Sequence, residues 1–81
     1  MSVILRHKGY KYFFFSNEGI PREPLHIHVR KGEKTAKIWI EPRISVSESY
    51  KMTSKELRDI LDVVHENLDL IVRRWNEFFN Q

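Results

Sequence analysis

The sequence predicts an α+β domain: a small antiparallel sheet of about four strands in the N-terminal half, packed by a C-terminal helix or helix pair. Three observations predict it. Short runs of aromatic and β-branched residues, separated by Gly and Pro turn signals, fill residues 3–50. Thr53-Ser54-Lys55-Glu56 then has the form of a helix capping box. Beyond it, apolar residues recur at alternating spacings of four and three, the period of a helix buried on one side.

Taken in order, Val3 to Arg6 reads as a short strand, His7-Lys8-Gly9 as a turn, and Tyr10 to Ser16 as a second strand. Alternation puts Tyr10, Tyr12 and Phe14 on one face and Lys11, Phe13 and Phe15 on the other, so this strand belongs inside the sheet. Asn17 to Pro24 is a loop, with an Asn, a Gly and two prolines in eight residues. Pro24 leads into a strand over His26 to Lys31, which places His26, His28 and Arg30 on one face and Ile27 and Val29 on the other. Gly32-Glu33 is a turn. Thr35 to Glu41 makes a fourth strand, with Ala36, Ile38 and Ile40 inward and Lys37, Trp39 and Glu41 outward. Pro42 stops it, and Ile44 to Tyr50 alternates weakly, as a short edge strand would.

The helical stripe runs Leu57, Leu61, Val64, Leu68, Ile71, Trp75, Phe78. One unbroken helix over this stretch would be about 40 Å long at 1.5 Å per residue. A domain of this length has a radius of gyration of only roughly 12 Å. Either the helix breaks near His65-Glu66-Asn67, which is the favoured expectation, or it projects and pairs with another chain. The aromatic C-terminus is expected to tuck onto the sheet, the alternative being a surface offered to a partner. His65 lies beside the stripe and reads as structural, whereas His7, next to a turn, reads as exposed.

With 81 residues, the chain reads as one domain over 1–81, sheet over 3–50 and helices over 53–79. A chain this small buries only about 60% of its unfolded surface, so association with a partner is a natural source of stability. There is no cysteine, which excludes disulfides, thiolate zinc sites and cysteine nucleophiles. No signal peptide or membrane-spanning run is evident, and a cytoplasmic protein without membrane partners is expected. Residues 1–51 hold ten Lys/Arg against five Asp/Glu, and residues 52–81 hold four against six, together the net +3 of the chain. The basic front half suits an anionic partner such as RNA or DNA.

Three chemistries fit the His26-Ile27-His28 pair. As metal ligands the two would need a third from His7, His65, Glu18 or Glu23, none at a compelling spacing, and Arg30 on the same face repels a cation. No metal or other cofactor is therefore expected. As a metal-independent ribonuclease-like site, His26 and His28 would transfer protons while Arg30, Lys37 or Arg6 stabilises the phosphorane. Arg6, Lys11 and Lys37 are further binding candidates, and Trp39, Tyr12 or Tyr10 would stack on an exposed base. A purely structural reading has the histidines bond loop carbonyls or Glu18 and Glu23, clamping the Pro-rich loop.

The aromatic second strand, Ser16-Asn17-Glu18-Gly19, Pro24-x-His26-Ile27-His28-Val29, Ala36-Lys37-Ile38-Trp39 and the closing Glu66-Asn67…Trp75-Asn76-Glu77-Phe78 resemble small bacterial proteins grouped as domain of unknown function 4160. The resemblance covers nearly the whole chain, with Ile38-Trp39-Ile40 standing where a Phe-Trp-Leu-like strand is expected. It implies a gene beside that of another small protein, arranged like a toxin–antitoxin pair with this chain as the toxin. It also raises the weight of Ser16, Asn17, Glu18, His26, His28, Lys37 and Trp39 without assigning them roles. The expectation is a toxin acting on RNA or the translation machinery and neutralised by a small antitoxin-like protein. The alternative is a non-catalytic adaptor or regulator using the basic sheet and C-terminal aromatics. Homodimerisation through the C-terminal helices is compatible with either.

Overall fold

A computed structural model describes residues 2–15 and 23–79. Five strands form a simple antiparallel meander: β1 (Ser2–His7), β2 (Tyr10–Phe14), β3 (His26–Lys31), β4 (Lys34–Trp39) and β5 (Ser45–Tyr50), in that spatial order. Two helices follow, α1 (Ser54–Glu66) and α2 (Leu68–Phe79). The α+β architecture is as the sequence predicts, and the weakly alternating segment after Pro42 supplies the fifth, edge strand. The expected Ser16 end of the second strand lies outside the described residues.

Tight turns set the register. Lys8 and Gly9 both have positive φ (52° and 83°), the requirement of a two-residue hairpin turn that follows the twist of the strands. Gly32, with φ of 60°, does the corresponding job between β3 and β4. Ile27 then pairs with Ile38 and Val29 with Ala36, aligning the apolar faces of β3 and β4. Strand β4 ends earlier than expected because the Ile40 and Glu41 amides both donate to the Leu25 carbonyl, at 2.9 and 3.3 Å.

Both helices pack on the face carrying Tyr12, Phe14, Ile27, Val29, Ala36 and Ile38. The centre of the helical face is Ile60, Val63, Val64, Ile71 and Trp75, all buried. Leu57, Leu61, Leu68 and Phe78 of the expected stripe flank it and are partly buried. A sheet is a broad surface, so the helices bury a wider band than a single line of residues. His65 is exposed, which corrects its expected structural role: Val63 and Val64 face the sheet and the next position turns to solvent. His7 is exposed as expected.

The helical stretch breaks at Asn67. Its amide donates to the carbonyls of Val63 (3.0 Å) and Val64 (3.2 Å), and its side-chain amide donates to Val63 at 2.8 Å. The fold measures 35 × 23 × 21 Å with a radius of gyration of 11.8 Å, too short for an unbroken 40 Å rod. Among the described residues, no helix is long and apolar enough to cross a membrane.

Glu56 anchors α1 to the sheet. The Thr53 hydroxyl accepts from the Glu56 amide (3.1 Å) and the Thr53 amide donates to Glu56 Oε1 (3.0 Å), completing the capping box. Glu56 Oε2 also accepts from the Tyr10 hydroxyl (2.5 Å) and the Lys34 ammonium (3.0 Å). The Tyr10 bond, then the Thr53 amide and Lys34, hold the carboxyl down at about 2. A depressed carboxyl stabilises the fold above its unfolded value of 4.5, and that contribution is lost as pH falls from there through about 2. Glu56→Gln is therefore expected to lower the melting temperature at neutral pH. The gap from wild type should close progressively below pH 4.5 in thermal melts followed by circular dichroism. A constant gap down to pH 2 would overturn this role.

Candidate functional site

Residues directly opposed in neighbouring antiparallel strands project from the same face. On the face away from the helices this rule yields three parallel rows. Arg6 opposes Lys11, Lys11 opposes Arg30, Arg30 opposes Thr35 and Thr35 opposes Tyr50, one row across all five strands. The next row is Val3, Phe13, His28, Lys37 and Glu48. The third is His26, Trp39 and Ser45.

The first row sets three cations side by side. Like charges opposed across strands are destabilising by a few tenths up to about 1 kcal/mol per pair, a cost that a bound polyanion would offset. Arg30 is exposed, and its Nε donates to the Gly32 carbonyl at 3.2 Å, fixing the stem of the side chain. Lys37, in the second row, is half-buried: its ammonium pairs with Glu23 at 3.0 Å and lies 4.6 Å from the Trp39 ring centroid.

Beside the cations runs an aromatic surface. The His28 ring lies 4.6 Å from Phe15, edge-on, and 5.7 Å from Phe13, stacked. Phe15 is 42% exposed and Tyr50 57%, large apolar groups facing outward on a basic face. Phe13, Phe15, His28, Arg30, Thr35 and Glu48 line a shallow depression of about 280 Å3.

His26 behaves differently from His28. Its ring is fully buried, 5.2 Å from His28, 5.5 Å from Trp39 and 5.4 Å from Trp75 of α2. Its Nδ1 donates to the Pro24 carbonyl at 2.8 Å, which places a ring proton on Nδ1. That bond is the loop clamp of the structural reading. His26 thus ties the start of β3 to the C-terminal helix, and His28 is the half-exposed imidazole of the pair.

The structure brings Arg6, Lys11, His26, His28, Arg30, Lys37 and Trp39 onto one face. The other stacking candidates, Tyr10 and Tyr12, face the helices instead, because alternate positions of β2 point to opposite sides of the sheet. Ser16, Asn17 and Glu18 lie outside the described residues. Among the described residues no three His, Asp or Glu side chains converge as a metal site would require. Tyr50, Glu48 and Thr35 were not singled out by the sequence. The register through Gly32-Glu33 points to Thr35, opposite Arg30, whereas the fifth strand's weak pattern hid the other two. Trp75 is buried and Phe78 and Phe79 pack beside Phe14, at 6.3 and 6.0 Å, so the C-terminal aromatics complete the core.

A family model described as a domain of unknown function, DUF4160, matches residues 9–76. The chain belongs to the DUF4160 family. The matched DUF4160 span takes in β2 to β5, α1 and most of α2, including His26, His28, Arg30, Lys37, Trp39 and Trp75. Arg6, at the edge of the cationic row, precedes it. Comparison with curated proteins and with solved structures gave no match. The DUF4160 description carries no activity, so the functional reading rests on the geometry of the sheet face.

Proposed function

We propose that the open sheet face binds single-stranded RNA, and that through it the chain acts on RNA or the translation machinery as the toxin of a paired module. A small cognate protein would neutralise it. The observation that carries the RNA reading is the Arg6–Lys11–Arg30 row on one face with the exposed Phe15 ring and the half-exposed His28 and Trp39 rings. Cations that track phosphates, next to rings on which bases stack, are the two elements of single-strand recognition on a sheet. The depression adds Thr35 and Glu48 as hydrogen-bonding groups for a base edge. The toxin role is supported by the resemblance of the sequence motifs to bacterial paired modules. Expression of the chain alone should slow bacterial growth, and His28→Ala with Arg30→Ala should relieve it. Normal growth at confirmed expression would overturn the toxin role, and absence of single-stranded RNA binding by the purified protein would overturn the RNA reading.

The burial of His26 favours a second reading, binding without cleavage. General acid–base cleavage needs two titrating groups in reach of the substrate, and this face offers one half-exposed imidazole. Incubation with labelled RNA separates the two: intact RNA in a stable complex supports the binding module, and discrete cleavage lost in His28→Ala supports the nuclease.

A further inference from the structure

On the helix-covered side of the sheet, opposite the cationic face, the β1–β2 hairpin and α1 line a pocket of about 190 Å3. Tyr10 and Tyr12 form its wall, and Asp59, Asp62 and Glu66 of α1 approach from above. The three acids are spaced by three and four residues, so they share one stripe of the helix. None forms an ion pair with a described residue, although the Lys8 side chain also lines the rim.

Tyr12 provides an independent pointer to a ligand. The residue is 1% exposed, yet its hydroxyl hydrogen-bonds to no described residue. No buried side-chain nitrogen or oxygen among the described residues lacks a partner, so this hydroxyl opens onto the pocket it lines. A phenol sunk in the core with its one polar atom directed into a small acidic pocket takes its partner from the pocket's contents. Burial first, then the neighbouring Tyr10 and Asp59, push its titration up to about 12, so it remains a neutral hydroxyl at any physiological pH.

Apart from His7, Lys8 and the Tyr12 hydroxyl itself, the polar side chains lining the pocket are acceptors. The Tyr10 hydroxyl donates its hydrogen bond to Glu56 and so presents only lone pairs to the pocket, and the three carboxylates only accept. The ligand must therefore be cationic and rich in donors. No three acidic or imidazole groups among the described residues are close enough to share a metal ion. An ammonium concentrates three donors at one point, whereas a guanidinium spreads five over a rigid plane and can meet separated acceptors together. We infer that the pocket between the β1–β2 hairpin and α1, with the Tyr12 hydroxyl at its wall and Asp59 and Asp62 at its mouth, binds a guanidinium group. The group comes from a free small molecule or from an arginine side chain of a peptide.

The test is an amide-resolved NMR titration of the whole chain with agmatine, acetyl-Gly-Arg-Gly-amide, putrescine and Mg2+ at constant ionic strength. Both guanidinium probes should shift the His7, Tyr12, Asp59 and Asp62 amides saturably, and the tighter of the two identifies the source. Asp59→Asn with Asp62→Asn should weaken binding by roughly tenfold or more, equivalent to the loss of about 1.4 kcal/mol. Tyr12→Phe, which removes only the hydroxyl, should weaken it too, and Lys8→Ala should tighten it. All three leave the RNA-facing residues untouched, so single-stranded RNA binding should not change. Equal shifts from putrescine or Mg2+, an unaltered titration in the double Asn variant, or no saturable shift with either guanidinium probe would overturn the assignment.

Discussion

Trp75→Ala is expected to cost about 3–5 kcal/mol, the range for truncating a large buried aromatic. Total stability for a chain of this length is only about 4–12 kcal/mol, at 0.05–0.15 kcal/mol per residue. The variant should therefore be largely unfolded near physiological temperature. At roughly 4–8 °C per kcal/mol, its melting temperature should fall by more than about 10 °C. The cost is concentrated here because one ring joins two parts of the fold. Trp75 is edge-on to Phe14 of the core at 5.2 Å and 4.2 Å from Phe79 of its own helix. It also meets His26, which belongs to the opposite face of the sheet, at 5.4 Å. Trp75→Phe keeps an aromatic ring in place and should recover most of the loss. Trp39→Ala removes an indole that is only half-buried and should cost clearly less. A Trp75→Ala protein melting within a few degrees of wild type would show that the helix is held by other contacts.

That junction also marks where sequence reading reached its limit. Alternation in Tyr10–Phe14, His26–Arg30 and Ala36–Ile40 assigned each side chain to a face, because two-residue turns at Gly9 and Gly32 leave the pairing no room to slip. Length favoured a break near residues 65–67 over a projecting helix, and the fold, 35 Å in its longest dimension, contains no 40 Å helix. The fate of His26 was not legible. Its burial depends on Trp75, distant in sequence, and on Trp39 across the ladder, and no local pattern announces contacts of that kind. Strand β5 was faint because its exposed Ser47, Glu48, Ser49 and Tyr50 give an edge strand little apolar rhythm. Ile60 and Val63 escaped the helical stripe for a related reason. A one-residue-wide line describes helix-on-helix packing better than a helix lying on a sheet.

The sheet face itself should separate charge from stacking. Single-strand binding weakens with salt with a log–log slope of about 0.7 per phosphate neutralised. If Lys11 and Arg30 each contact a phosphate, Lys11→Ala with Arg30→Ala should lower that slope by about 1.4. Phe15→Ala should leave the slope unchanged. Loss of base stacking should instead reduce affinity at every salt concentration by about 1–3 kcal/mol, roughly 5- to 150-fold. Neither change should unfold the protein: Lys11 and Arg30 sit on the face away from the core, and Phe15 is 42% exposed. Removing one of two opposed like charges should even relieve repulsion in the ladder. Fluorescence anisotropy of a labelled oligouridine over a salt series measures both quantities in one experiment. Should Phe15→Ala change the slope, or the double variant leave it intact, the cationic row and the aromatic surface would not divide the work as their placement implies. Lys37 supplies an internal control, because its ammonium is already held by Glu23 at 3.0 Å. Lys37→Ala should therefore alter the salt dependence less than either residue of the first row, a ranking set by ion pairing within the face rather than by net charge.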